Sequence, residues 1–109
     1  MSGIDKFLLS DFKLGWVVGN FSPSLMKSEH IEVGIKYFKM GDVEPSHKQI
    51  IATELTVVVS GTVRLAEKEY NQGEIVRIDP GVFADFEALT DAALVCIKYP
   101  SLPNDKVLE

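Results

Sequence analysis

The chain has 109 residues, about one domain by length, with 46% apolar residues and a net charge of −5. That apolar content excludes a disordered chain, and the negative charge argues against a nucleic-acid partner, whose phosphates it would repel. No apolar run approaches the roughly 18 residues that span a bilayer. "MSGIDKFLLSDFK" lacks the basic start and long apolar middle of a signal peptide, and the single cysteine, Cys96, cannot make an internal disulfide. The expectation is a cytoplasmic protein with no membrane partner.

In chain order, "DKFLLSDF" reads as a short helical turn or an irregular arm, and "GWVVGNF" (15–21) as a short strand set off by glycines. "SPSLMKSE" is a loop broken by Pro23. "HIEVGIKYFK" (30–39) alternates, with Ile31, Val33, Ile35 and Tyr37 on one face and His30, Glu32, Gly34, Lys36 and Phe38 on the other. Period two predicts a half-buried strand with His30 and Glu32 on its solvated side. "MGDVEPS" is expected to be a turn. "ELTVVVSG" is a strand rich in β-branched residues, ending at Gly61. "TVRLAE" and "KEYNQGE" form a hairpin, "EIVRIDPG" is a strand closed by Asp79-Pro80-Gly81, and "FADFEALT" alternates again. "AALVCIKY" is the last strand, carrying Cys96 as a buried, inert thiol. The predicted organisation is an N-terminal arm and first strand (1–29), a barrel (30–99) and a C-terminal tail (100–109). Short strands separated by turn residues, with no long helical pattern, define an all-β barrel or sandwich.

One group of residues carries possible chemistry. His47 and Gln49 are two apart on a strand and share a face. A turn at 50–53 would bring Glu54 back toward them. Imidazole plus carboxylate suits a divalent metal such as Fe, Mn, Ni or Zn, though the same spacing also describes an ordinary polar pair. Arg64 and Arg77, the only arginines, are expected to pair with the chain's own acids, and Asp85 to point outward. No phosphate-binding glycine loop or nucleophile elbow is present.

These residues resemble the first motif of the cupin superfamily, G-x5-H-x-H-x4-E-x6-G. Gly41, His47, Glu54 and Gly61 stand at its spacings, and Gln49 replaces its second histidine. A looser second match runs through "GEIVRIDPGVFADFEAL". There Gly73 and Gly81 hold the glycine positions, with Asp79 at a proline, Ala84 at the histidine and Ala88 at the asparagine. The resemblance implies a double-stranded β-helix, a jelly-roll barrel of two sheets, whose metal, where present, is held inside by three histidines and a glutamate. Here His47 and Glu54 are the ligands kept, with Gln49 a weak third. The expected function is therefore binding of a small molecule in the barrel cavity with a weak or absent metal site and no evident catalysis. Tyr37, His47, Gln49, Glu54, Ala84 and Phe86 are its candidate binding residues, Tyr37 as a pocket wall and Phe86 at the mouth. Two alternatives are a metal-dependent isomerase or dioxygenase working through His47, Gln49 and Glu54, and a dimeric interaction module. Cupins often pair or exchange an N-terminal strand such as "GWVVGNF" with a second copy, so a homodimer is expected.

Overall fold

The computed structural model describes residues 3–109. Two single 3-10 turns, Leu9–Asp11 and Lys13–Gly15, precede a run of strands: β1 (Trp16–Gly19), β2 (Met26–Lys27), β3 (Glu32–Phe38), β4 (Val43–Gln49), β5 (Thr53–Ser60), β6 (Thr62–Leu65), β7 (Lys68–Asn71), β8 (Ile75–Ile78), β9 (Ala84–Ala88), β10 (Ala92–Tyr99) and β11 (Lys106–Leu108). They form two sheets, in the orders β2-β1-β3-β10-β5-β8 and β11-β4-β9-β6-β7. The β1–β2 pairing is parallel and the other pairings are antiparallel. The all-β barrel expected from the sequence is what forms.

The sheets face each other across a core of Val58, Val63, Phe86, Ala88, Ala92, Leu94 and Cys96. Each large apolar side chain buried there contributes on the order of 1.5–3 kcal/mol. The positions come from strand alternation: Leu94 and Cys96 on β10, Phe86 and Ala88 on β9, and Val58 on β5 point between the sheets.

Three expectations need correction. The chain turns at Met40–Gly41, so "MGDVEPS" is mostly strand and β4 begins at Val43. Pro45 is tolerated there because a β-bulge falls on it. Glu44 opposes Phe86 and His47 opposes Ala84, so three steps on β4 match two on β9. Residues 100–109 are more than a tail, because β11 pairs with β4 and the Asp105 carboxylate accepts the backbone N–H groups of Ile51 and Ala52, both at 2.9 Å.

The third correction concerns β3. Its inward face is the one that looks polar in the sequence: Gly34 is buried, and Lys36 and Phe38 line the space between the sheets. Trp16 of β1 lies over Gly34, where a Cβ would sit 2.6 Å from the indole, so a tryptophan from the neighbouring strand supplies the apolar cover that β3 lacks. Glu32 is enclosed rather than solvated. It pairs with Lys98 at 3.6 Å and accepts the Ser101 hydroxyl at 2.8 Å. His30 is exposed, as expected. Val33, Ile35 and Tyr37 face outward, alongside the alternate residues Val95, Ile97, Leu55 and Val57 of β10 and β5. The central strands are thus apolar on both faces.

Candidate ligand cavity

Between the sheets lies a cavity of about 180 Å³. His47, Gln49, Glu54, Ala84 and Phe86 all line it, so five of the six candidate binding residues are brought together. Tyr37 is not among them. It is 72% exposed, on the outer face of β3, because the strand turns its other side inward. Phe86 is only 3% exposed and packs against Phe38 in a tilted contact with ring centroids 4.5 Å apart, so it forms part of the wall rather than the mouth.

His47 reaches the cavity because the bulge at Pro45 resets the strand. Its Nδ1–H donates to the Pro45 carbonyl at 3.1 Å, which holds the ring in place. The same bulge puts Glu44 on the cavity face, although it is an odd number of residues from His47. Glu54 arrives from β5. Burial pushes its carboxyl above the usual value of 4.5, and the nearby charges of Lys98 and His47 only partly offset this. Burial pushes the Cys96 thiol up to about 12, with Glu54 adding to the effect, so the thiol stays protonated and inert as expected.

The sequence reading missed the lysines. Lys36, Lys48, Lys98 and Lys106 line the cavity, against two glutamates, Glu44 and Glu54. Lys36 Nζ lies 4.5 Å and Lys98 Nζ 4.8 Å from the centroid of the Trp16 ring. Lys36 donates to the Leu14 carbonyl at 2.6 Å, and burial lowers its ammonium's pKa. A signal for Lys98 was present: Leu94, Cys96 and Lys98 alternate on one face of β10. For Lys36 and Glu44 the inverted face of β3 and the bulge hid it.

The motif resemblance implies a divalent metal inside the barrel, and these residues do not fit one. Ala84, directly opposite His47 in the β4–β9 pairing, offers no donor. Gln49 offers at most a neutral amide oxygen, a weak ligand in place of an imidazole. Among the described residues no three His, Cys, Asp or Glu side chains are grouped to hold an ion. A cation would also share the space with lysine ammoniums.

Outside the cavity the charged residues behave as expected. Arg64 pairs with Asp85 at 3.3 Å and Glu87 at 3.4 Å, Arg77 pairs with Asp79 at 3.4 Å, and Asp85 points away from the cavity. Among the described residues no helix is long and apolar enough to cross a membrane.

Two facing sheets enclosing a side-chain-lined cavity make this a protein of the cupin fold, a double-stranded β-helix. No protein-family model matches the sequence, and no curated protein is significantly similar to it. Solved structures are similar in fold. A conserved protein with a double-stranded β-helix domain from Klebsiella pneumoniae matches 98% of this chain and 91% of its own, at 16% identity and a TM-score of 0.71. KdgF from a Halomonas species matches 71% of this chain and 74% of its own, at 17% identity and a TM-score of 0.64. The DMSP lyase DddQ from Ruegeria pomeroyi matches 85% of this chain at 14% identity and a TM-score of 0.73, and this chain spans only 49% of it.

Proposed function

We propose that this chain binds a small molecule inside its barrel without a resident metal. The observation that carries the reading is the buried Gln49 Nε2, a donor with no acceptor, in a cavity wall that also holds Phe38, Phe86 and Leu94. An orphaned buried donor costs about 1–3 kcal/mol, and a bound acceptor relieves that cost. The cavity lies below the ~300 Å³ lower end for drug-sized ligands, so the occupant is small.

Glu54→Gln tests the metal-free reading. As pH rises past 4.5, the unfolded chain gives up the Glu54 proton before the folded chain does. The folded state then binds more protons, so stability falls as pH climbs from 4.5 through the raised folded value. Removing the charge removes that loss. Glu54→Gln is expected to raise Tm by a few degrees at neutral pH, with the gain vanishing below pH 4.5, and Mn, Fe, Ni or Zn should shift neither protein. A metal-induced rise in Tm that Glu54→Gln abolishes would instead favour a metal-dependent isomerase or dioxygenase using His47, Gln49 and Glu54.

The partner is a second copy of this chain. The outer face of β3, β10 and β5 is largely apolar and continues onto β8 through Ile75, beside the charged Arg77, with Tyr37, Tyr99, Val59 and Ile75 exposed on it. A stable interface takes ~800 Å² per partner. Light scattering at micromolar concentration is expected to give a dimer, and the double variant Tyr37→Glu/Tyr99→Glu a folded monomer. A monomeric wild type would overturn this.

A further inference from the structure

We propose that the cavity is a site for a small organic carboxylate, anchored by the Lys36 ammonium and the Gln49 side-chain amide, with its hydrocarbon part against Phe38 and Phe86. The assignment rests on the reading that the barrel holds a small molecule and names the class of that molecule.

Two donors on the cavity wall lack an acceptor that matches them. Gln49 is 5% exposed, and its Nε2 has no partner. Lys36 carries a full charge on a half-buried stem, yet its hydrogen bond goes to a neutral carbonyl, that of Leu14. Among the described residues no carboxylate lies within ion-pair distance of it. Its neighbour over the same indole, Lys98, differs, because Glu32 neutralises it at 3.6 Å. One lysine of the pair is therefore neutralised by direct pairing within the fold, and the other has only the more distant field of Glu44, leaving room for a direct anionic partner.

The entering group needs negative charge for Lys36 and an acceptor oxygen for Gln49 Nε2, and a carboxylate supplies both. Glu54 lies in the field of Lys98 and His47 and Glu44 in that of Lys36, so the two glutamates of the wall offset only part of its positive charge. Four lysines against two glutamates line the cavity of a chain whose net charge is −5, a local reversal of sign that draws anions to this place. The tilted pair of rings of Phe38 and Phe86, with Leu65 and Leu94, gives the rest of the molecule an apolar surface. About 180 Å³ restricts it to a short chain or a single ring.

The test is calorimetry and thermal shift at low salt with butyrate and benzoate, and with butyramide and benzamide as neutral counterparts of the same shape. Saturable binding of the acids, at least about tenfold tighter than of the amides, is expected. Lys36→Met, which keeps the stem over Trp16, should weaken acid binding by about tenfold or more and leave amide binding unchanged. Gln49→Met removes the orphaned donor, so it should melt higher than the wild type without ligand while binding the acids more weakly. Those opposite signs separate a binding role from a merely structural one. Equal affinity for acids and amides, or acid binding untouched by Lys36→Met, would overturn the carboxylate assignment and leave the small-molecule reading standing. No binding by either series would overturn both.

Discussion

Asp105→Ala is expected to cost on the order of 3–5 kcal/mol, among the largest effects of any single substitution in this chain. Asp105 is only 6% exposed. Its two carboxylate oxygens accept the backbone N–H groups of Ile51 and Ala52, each at 2.9 Å, and its own carbonyl accepts the N–H of Ile50, also at 2.9 Å. One residue therefore satisfies the whole turn between β4 and β5. Alanine would leave two donors with no acceptor, and Ala52, 1% exposed, has no water to turn to. His47 and Gln49 precede this turn and Glu54 follows it, so loosening it should also blunt ligand binding. In a domain of this length the loss corresponds to a fall in Tm of roughly 15–20 °C. Asp105→Asn keeps one acceptor oxygen and should fall between. A calorimetric loss below about 1 kcal/mol for the alanine variant would show that the turn stands without this clamp.

Gly61→Ala should be comparably severe, and Gly41→Ala mild, although both glycines bracket the same sequence motif. Gly61 has φ +84°, and a Cβ there would sit 2.2 Å from the Asp91 carbonyl oxygen and 2.9 Å from the Ala92 Cα. Both atoms are backbone of the turn leading into β10, so they cannot swing aside. Steric overlap adds to the ~1–2 kcal/mol that a side chain costs in this region of φ, and a total of about 3 kcal/mol or more follows. Gly41, at φ +93°, has nothing within 4 Å of its would-be Cβ. Only the conformational cost remains, about 1–2 kcal/mol. Urea denaturation of the two alanine variants measures the difference directly, through the midpoint at constant slope. Equal losses would mean that the clash at Gly61 relaxes.

The barrel was legible in the sequence because its strands carry strong local signals: the β-branched run of β5, the alternation of β9, the Asp-Pro-Gly turn after β8. The convergence of His47, Gln49 and Glu54 was legible from spacing. The inward side of β3 was not. Its apolar residues, Val33 and Ile35, belong to an outer surface, and the cover for its cavity side comes from Trp16 on a strand distant in the chain. Binary patterning assigns the greasier face to the interior, and a sheet apolar on both sides defeats that rule. Lys36 and Lys98 were overlooked for the same reason: a lysine in a strand reads as solvated until a neighbouring ring is known to lie beneath it. Glu44 was hidden by the bulge, which breaks the count of two on which facing is inferred.

The place of β10 in its sheet bears on how the molecule opens and closes. β10 is bonded to β3 on one side and β5 on the other, with Val95 between Ile35 and Val57. Joining Ile35 to Val95 closes a long loop before the contacts that reward it exist, so the rate of folding is governed by topology and falls in the slow range of all-β domains, milliseconds to seconds. No fragment that lacks this strand retains a closed barrel. Deuterium exchange at its amides therefore reports separation of the whole molecule rather than local fraying.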